Sequence, residues 1–188
     1  MDELSIRRIT DKLEPQAIRS TVIRAGLYLA AFELLRAEVV DKVKAFFVMG
    51  FDQRGYTYSP EYATKVLALD RNIYNASCKW LVTVEAMTTE QATELQEIRV
   101  HRNLIAHELP KLLMDPSTHL NPWLLERCRF YIGLLGRLWG GIEADTNPDF
   151  AGAAIDYEAI KSGTSLLMDY IWEIVEGAPP NQGMEPTR

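Results

Sequence analysis

Apolar residues recur every three or four positions along nearly the whole chain, a period that predicts helices rather than strands. Over residues 15–48 the spacing is kept by Ile18, Val22, Ala25, Leu29, Phe32, Leu35, Val39, Val43 and Phe46, which predicts one long first helix. Residues 50–59 hold two glycines and read as a loop, and the longest alternating patch in the chain is Tyr56-Thr57-Tyr58. Ser59-Pro60 supplies an N-cap hydroxyl and a first-turn proline, so a second helix is predicted from there to about Glu85 along Tyr62, Val66, Leu69, Ile73, Ala76, Trp80, Leu81 and Val84. Thr88 and Gln91 have capping-box spacing and open a third helix that Pro110 ends near Leu109. Asn121-Pro122 opens a fourth, running from Trp123 to about Ile142 and closing at or just after Gly140-Gly141. Asp156 is placed to cap the last, which runs to about Glu176 and stops at Gly177. The expected fold is all-α: an up-and-down bundle of about five main helices in a single domain over residues 1–177, with residues 178–188 as a disordered tail.

Composition narrows the partners. With 188 residues, 47% of them hydrophobic, the chain has enough apolar surface for one core. A net charge of -6 and a pI near 5.2 argue against a protein that grips long duplex DNA over its whole surface, because phosphate binding needs clustered Lys and Arg. The start of the chain, Met1-Asp2-Glu3-Leu4-Ser5-Ile6-Arg7-Arg8, lacks the apolar core of a signal peptide and no apolar run reaches membrane-span length, so a cytoplasmic protein with no membrane partner is expected. Cys78 and Cys128 fall inside helical segments without metal-ligand spacing and read as buried thiols in a reducing compartment.

The chemistry concentrates in the third helix, where residues 97–108 carry two of the three histidines. Placing Leu95 at zero and turning roughly 100° per residue groups Ile98, Ile105, Ala106 and Leu109 in one apolar sector, with Arg102 in its middle. A guanidinium facing a core needs a carboxylate, carbonyls or a bound phosphate to offset its desolvation. Arg99, Asn103 and His107 form an i, i+4, i+8 row beside that sector, and Val100 and Leu104 make a second apolar patch beyond the row. A helix apolar on two sides is either fully buried or packs its own core on one side and a partner on the other, and a two-fold homodimer would bring both copies of the polar row into one cleft. Within one helix Arg102 and His107 stand roughly 140° and about 7.5 Å apart, so they are not a natural pair. From two copies they can meet on one phosphate, arginine holding its charge while an imidazole, with a reference pKa near 6.5, moves protons without a metal or other cofactor.

Arg102-Asn103 followed by His107 resembles the motif of the HEPN superfamily, and the Arg-Asn-x-x-Ala-His-Glu form is similar to its bacterial abortive-infection groups. The resemblance implies a bundle of four or five helices, a dimer with a composite cleft, and metal-independent endoribonuclease activity on single-stranded RNA in toxin or phage-defence systems, with a cognate antitoxin as a further partner. It makes Arg102, His107 and Asn103 the catalytic candidates, and Arg99 an RNA-binding one.

Plainer explanations stand beside each assignment. Arg102 can pair with a buried carboxylate such as Glu33, Glu38, Asp70 or Glu85, and His107 can bond to a last-turn carbonyl of its helix. The scaffold can then serve as a catalytically silent module for dimerisation, nucleotide or partner binding, or as a small-ligand bundle with a tryptophan-lined pocket. His101, on another side of the wheel, reads as solvent-facing or at an interface rim. An offset of six puts His101 and His107 roughly 120° apart, which excludes a zinc pair of the i, i+4 kind. Trp80, Trp123, Trp139 and Trp172 read as packing residues rather than base-stacking platforms, and residues 50–55 lack the Lys-Ser or Lys-Thr of a phosphate loop. The end of the chain, from Pro179 to Arg188, resembles the ends of some proteins encoded on mobile bacterial gene cassettes.

Overall fold

The structure, a computed structural model, describes residues 3–177, with side chains from residue 6 onward. The expectation of a disordered, cassette-like tail falls on residues 178–188, outside the described residues. Eight α-helices and one two-stranded sheet are found among the described residues, so the all-α expectation holds.

A short helix α1 (Glu3–Leu13), absent from the sequence reading, precedes α2 (Pro15–Arg36), which begins at Pro15 because a proline without an N–H loses nothing in a first turn. The predicted helix over residues 15–48 exists as one continuous path, but a π-helical turn, Ala37–Asp41, separates α2 from α3 (Lys42–Phe46). That turn admits Glu38 into the interior, where the Trp139 indole N–H donates to the Glu38 carbonyl at 3.1 Å. Burial raises the pKa of the Glu38 carboxyl, against the opposing pull of the Thr164 hydroxyl and Lys42.

Residues 50–59 are not an irregular loop. They belong to a hairpin of β1 (Val48–Asp52) and β2 (Gly55–Tyr58), with Phe51 opposite Tyr56 and their rings 5.5 Å apart. Asp52 accepts the Arg54 N–H at 2.7 Å, and Gly55 takes a φ of 109° that a side chain would resist. Both faces of the hairpin stand largely in solvent, so packing imposed no apolar alternation for the sequence to display.

The predicted helix over residues 59–85 is broken. A π-helical turn (Tyr62–Val66) and a 3-10 turn (Leu67–Leu69) come first, and α4 (Ile73–Thr83) starts only after Asn72, whose side chain accepts the Asn75 N–H at 3.2 Å. Asp70 and Asn72 offer the backbone local bonds that compete with a continuous helix, Asp70 Oδ1 accepting the Asn72 N–H at 2.9 Å. α4 closes in a Schellman turn: Ala86 N–H donates to the Leu81 carbonyl and Glu85 N–H to that of Val82, with Glu85 at φ 58°.

The Thr88–Gln91 capping box forms in both directions at the start of α5 (Thr89–His107). Pro110 does not simply stop that helix; it sits in the first turn of a further short one, α6 (Leu109–Met114). Asn121 caps α7 (Pro122–Thr146), which passes through Gly140 and Gly141 instead of ending there. Asp156 caps a 3-10 turn (Tyr157–Ala159), and the last helix, α8 (Gly163–Gly177), begins after Ser162, whose hydroxyl accepts the Ser165 N–H at 3.1 Å.

The core lies where α2, α5, α7 and α8 meet, with Leu35, Leu95, Ile98, Tyr131, Leu135 and Met168 fully enclosed. α1 is clamped onto the α6–α7 side by Lys12, whose ammonium donates to the carbonyls of Leu112, Asp115 and Thr118 at 3.0, 2.6 and 2.5 Å. Among the described residues no helix is long and apolar enough to cross a membrane.

Candidate functional site

α5 packs against α2, α4 and α7. Against α2, the Tyr28 hydroxyl donates to the Ile98 carbonyl at 3.3 Å. Against α4, the Tyr74 hydroxyl donates to the Leu95 carbonyl at 3.4 Å. Against α7, Arg127 Nε and the Tyr131 hydroxyl both donate to Glu94 Oε2 at 2.6 Å. What remains open is the side bearing Asn103 and His107, with Val100, 68% exposed, beside them. The second apolar patch inferred from the wheel is therefore an uncovered one in the single chain, with Val100 as its exposed member and Leu104 half-buried.

Arg102 is at the boundary of the core rather than in it. Its side chain is 30% exposed, Nη2 donates to Glu33 Oε1 at 2.9 Å, and that carboxylate is itself 52% exposed. Nη1 reaches Asn103 Oδ1 at a long 3.4 Å, the guanidinium lies 5.4 Å over the Phe32 ring, and Nε is shut from solvent without a hydrogen-bond partner. Of the four carboxylates that could have matched it, Glu33 is the one in reach: Asp70 is held by Lys79 at 2.8 Å, and Glu38 is enclosed beside Trp139. A pair this exposed is worth only about 0–1 kcal/mol, so Glu33 orients Arg102 without locking it away.

His107 stands exposed in the last turn of α5, with no hydrogen bond or ring contact among the described residues. The bond to a last-turn carbonyl expected for it is not made, and the Leu104 carbonyl of that turn accepts the Glu108 N–H. Arg99 keeps its place in the row with Asn103 and His107, but its side chain is engaged by α4. Nη1 donates to Asn75 Oδ1 at 2.9 Å and the guanidinium lies 5.6 Å over the Tyr74 ring, which makes Arg99 a half-buried cross-link to α4. The sequence could not place Asn75 and Tyr74 beside it.

His101 is not at a rim. Its Nε2 accepts the Asn121 N–H at 3.0 Å and its ring packs edge-on against Tyr28, with centroids 5.1 Å apart. Burial lowers its pKa. A protonated imidazole has no lone pair left for Asn121, so the folded state needs the neutral ring. The folded pKa lies below the unfolded reference, so this contribution to stability is complete above about pH 6.5 and is lost as pH falls through the folded value. The melting temperature is expected to drop between about pH 7.5 and pH 5, and the drop to be smaller in His101→Gln. The difference between the two pH profiles isolates His101 from His119, whose pKa burial also lowers.

A cleft of about 790 Å³ lies elsewhere, between α1, α2 and the loop joining α6 to α7, and none of Arg99, Arg102, Asn103 and His107 lines it. His119 and Tyr28 do, together with Lys12, whose charge is spent on carbonyls, and no tryptophan contributes to it. One wall of this cleft is α1, which a sequence reading that starts its first helix at Pro15 does not contain. Burial pushes the thiols of Cys78 and Cys128 up to about 12, which leaves both protonated and unreactive. Trp80 and Trp139 are packing residues as expected, whereas Trp123 is 46% exposed. Among the described residues no group of three His, Cys, Asp or Glu side chains could hold a metal ion.

No protein-family model, no curated protein and no solved structure matches this chain.

Proposed function

We propose that the protein is a metal-independent endoribonuclease of the HEPN type, of a toxin or phage-defence kind, acting as a homodimer with a composite Arg/His site. The observation that carries this reading is the state of Arg102: a guanidinium fixed over Phe32, paired with one half-exposed carboxylate, beside Asn103 and on a helix whose His107 is exposed and unbonded. A phosphodiester can take the place of Glu33 on such a guanidinium at little cost, and charge-assisted pairing to phosphate is where arginine's planar fork is strongest.

In the reaction, Arg102 holds the scissile phosphate and offsets the charge that builds on its non-bridging oxygens. The 2′-hydroxyl attacks phosphorus while the bond to the 5′-oxygen breaks. His107 accepts the 2′-hydroxyl proton, and His107 of the partner subunit delivers a proton to the departing 5′-oxygen. Asn103 orients the guanidinium, and Arg99 serves by holding α5 against α4. The exposed Val100 face of α5 is the surface for the second copy, and an antitoxin that covered it would keep the site incomplete.

The test is cleavage of a 5′-labelled single-stranded RNA by the purified chain in excess chelator. The expected products carry a 2′,3′-cyclic phosphate. An inert, monomeric protein would overturn the reading. The pairing of Arg102 with Glu33 favours one alternative, a catalytically silent helical module, for which an inert but dimeric protein would speak.

A further inference from the structure

One edge of α7 presents Trp123, Arg127 and Phe130 at positions i, i+4 and i+7, one face of a helix. Both flanking rings are nearly half exposed, Phe130 at 42%. The Arg127 guanidinium lies 5.8 Å from the Trp123 ring centroid and 4.3 Å from that of Phe130. Glu94 and the Tyr131 hydroxyl hold that guanidinium in place, at 2.6 and 3.1 Å. The result is a ridge of two aromatic rings braced against a fixed cationic plane.

Phe130 also borders a groove of about 340 Å³ where α7 meets Lys161 and the first half of α8. Its charged lining is three cations, Arg129, Arg137 and Lys161, against two carboxylates, Glu126 and Asp169. Asp169 takes Arg129 at 2.8 Å and Lys161 at 3.2 Å, which fixes those two cations. Arg137 has no ion pair or hydrogen bond among the described residues. Gly133 leaves room beside it, since a Cβ there would stand 3.8 Å from Arg137 Nη1. On a protein of net charge -6, a cation-rich groove with an uncommitted guanidinium and an aromatic border is a local reversal of the surface.

We infer that this ridge and groove bind single-stranded RNA, with the rings of Trp123 and Phe130 stacking on bases and Arg137, Lys161 and Arg129 pairing with phosphates. Stacking rings beside a cationic groove are what a single strand needs from a protein, because every base offers a flat face and every linkage a charge. An acidic peptide would use the cations and leave the rings idle. The choice of RNA over other single strands rests on the ribonuclease reading; the surface itself does not.

The experiment uses the full chain and a fluorescein-labelled 2′-O-methyl oligouridine, which the proposed reaction cannot cleave because it lacks a free 2′-hydroxyl. Fluorescence anisotropy should show binding that weakens roughly tenfold in Phe130→Leu and at least as much in Arg137→Gln/Lys161→Gln. The slope of log affinity against log salt should shrink by about 1.4 in the double variant and stay unchanged in Phe130→Leu. Unchanged melting curves are expected, because these side chains stand at the surface. The inference is overturned if the parent does not bind the oligomer, if the variants bind as the parent does, or if polyglutamate of equal charge competes as well in parent and Phe130→Leu alike. The nuclease reading fails separately: binding with no cleavage of ordinary RNA sinks that reading and leaves this surface standing.

Discussion

Replacing His107 with alanine is expected to slow RNA cleavage by roughly 10²–10⁴-fold, the range that a positioned general acid or base contributes. The melting temperature should not change, because the side chain is exposed and bonds to nothing among the described residues. Arg102 gives the complementary result. Arg102→Ala should lose cleavage too, and Arg102→Lys should recover only part, since an ammonium cannot present two parallel donors to one phosphate. The informative variant is Glu33→Gln. Glu33 and a phosphate compete for the same guanidinium at 2.9 Å, so removing the carboxylate charge should lower KM for RNA several-fold. It should change stability by no more than about 1 kcal/mol, because the pair is exposed. Steady-state kinetics and melting curves on these four variants separate the readings. If Glu33→Gln or Arg102→Ala breaks up the dimer or lowers the melting point while RNA is untouched throughout, the Arg102–Glu33 pair is structural and the silent module is the better account.

Residues 97–108 were informative in sequence because a helix wheel needs only the helix, and Thr88 and Gln91 fix that helix by local bonds. The open side with Asn103 and His107 follows from the wheel. What the wheel lacks is the identity of neighbours. Arg99 shares its row with Asn103 and His107, yet Asn75 and Tyr74 draw it into an α4 contact. Arg102 sits within the sector of Leu95 and Ile98, yet the half-exposed carboxylate of Glu33 on α2 lets it lie at the core's edge. His101 reads from sequence as solvent-facing or at an interface rim because nothing in the sequence brings the start of α7 to it. The hairpin was hidden for the opposite reason: with both faces largely in solvent, no pattern of burial was written into residues 48–58. The π-helical turn at Ala37–Asp41 interrupts the hydrogen-bond ladder without interrupting the apolar spacing, so periodicity reports one helix where there are two.

Gly136→Val is expected to destabilise the protein by about 3 kcal/mol, near the upper end for overpacking a filled interior. In a chain of this length that is a fall of roughly 10 °C in melting temperature. Glycine in mid-helix ordinarily marks an end or a weakness, and from sequence alone Gly140-Gly141 reads that way. Along α7 it marks where another part of the chain comes close. A Cβ on Gly136 would lie 2.7 Å from the Ser162 hydroxyl and 2.9 Å from that of Ser165, two groups already bonded to each other at 3.0 Å where α8 begins. A Cβ on Gly140 would lie 2.5 Å from the Ile160 Cγ2. Valine at position 136 therefore has no room unless both hydroxyls turn away, which breaks their mutual bond and the Ser162 cap on the Ser165 N–H, or the start of α8 moves away from α7. That movement would unsettle Met168, which is fully enclosed one helical turn beyond Ser165. The control is Gly133→Ala on the same helix, where a Cβ meets only the Arg137 side chain at ordinary contact distance. There the gain in helix propensity, about 0.5–1 kcal/mol, should appear undiminished. Opposite signs for the two substitutions in thermal or urea unfolding are the expected result. A mild effect of Gly136→Val would mean that α8 is not packed on α7 at the distance described.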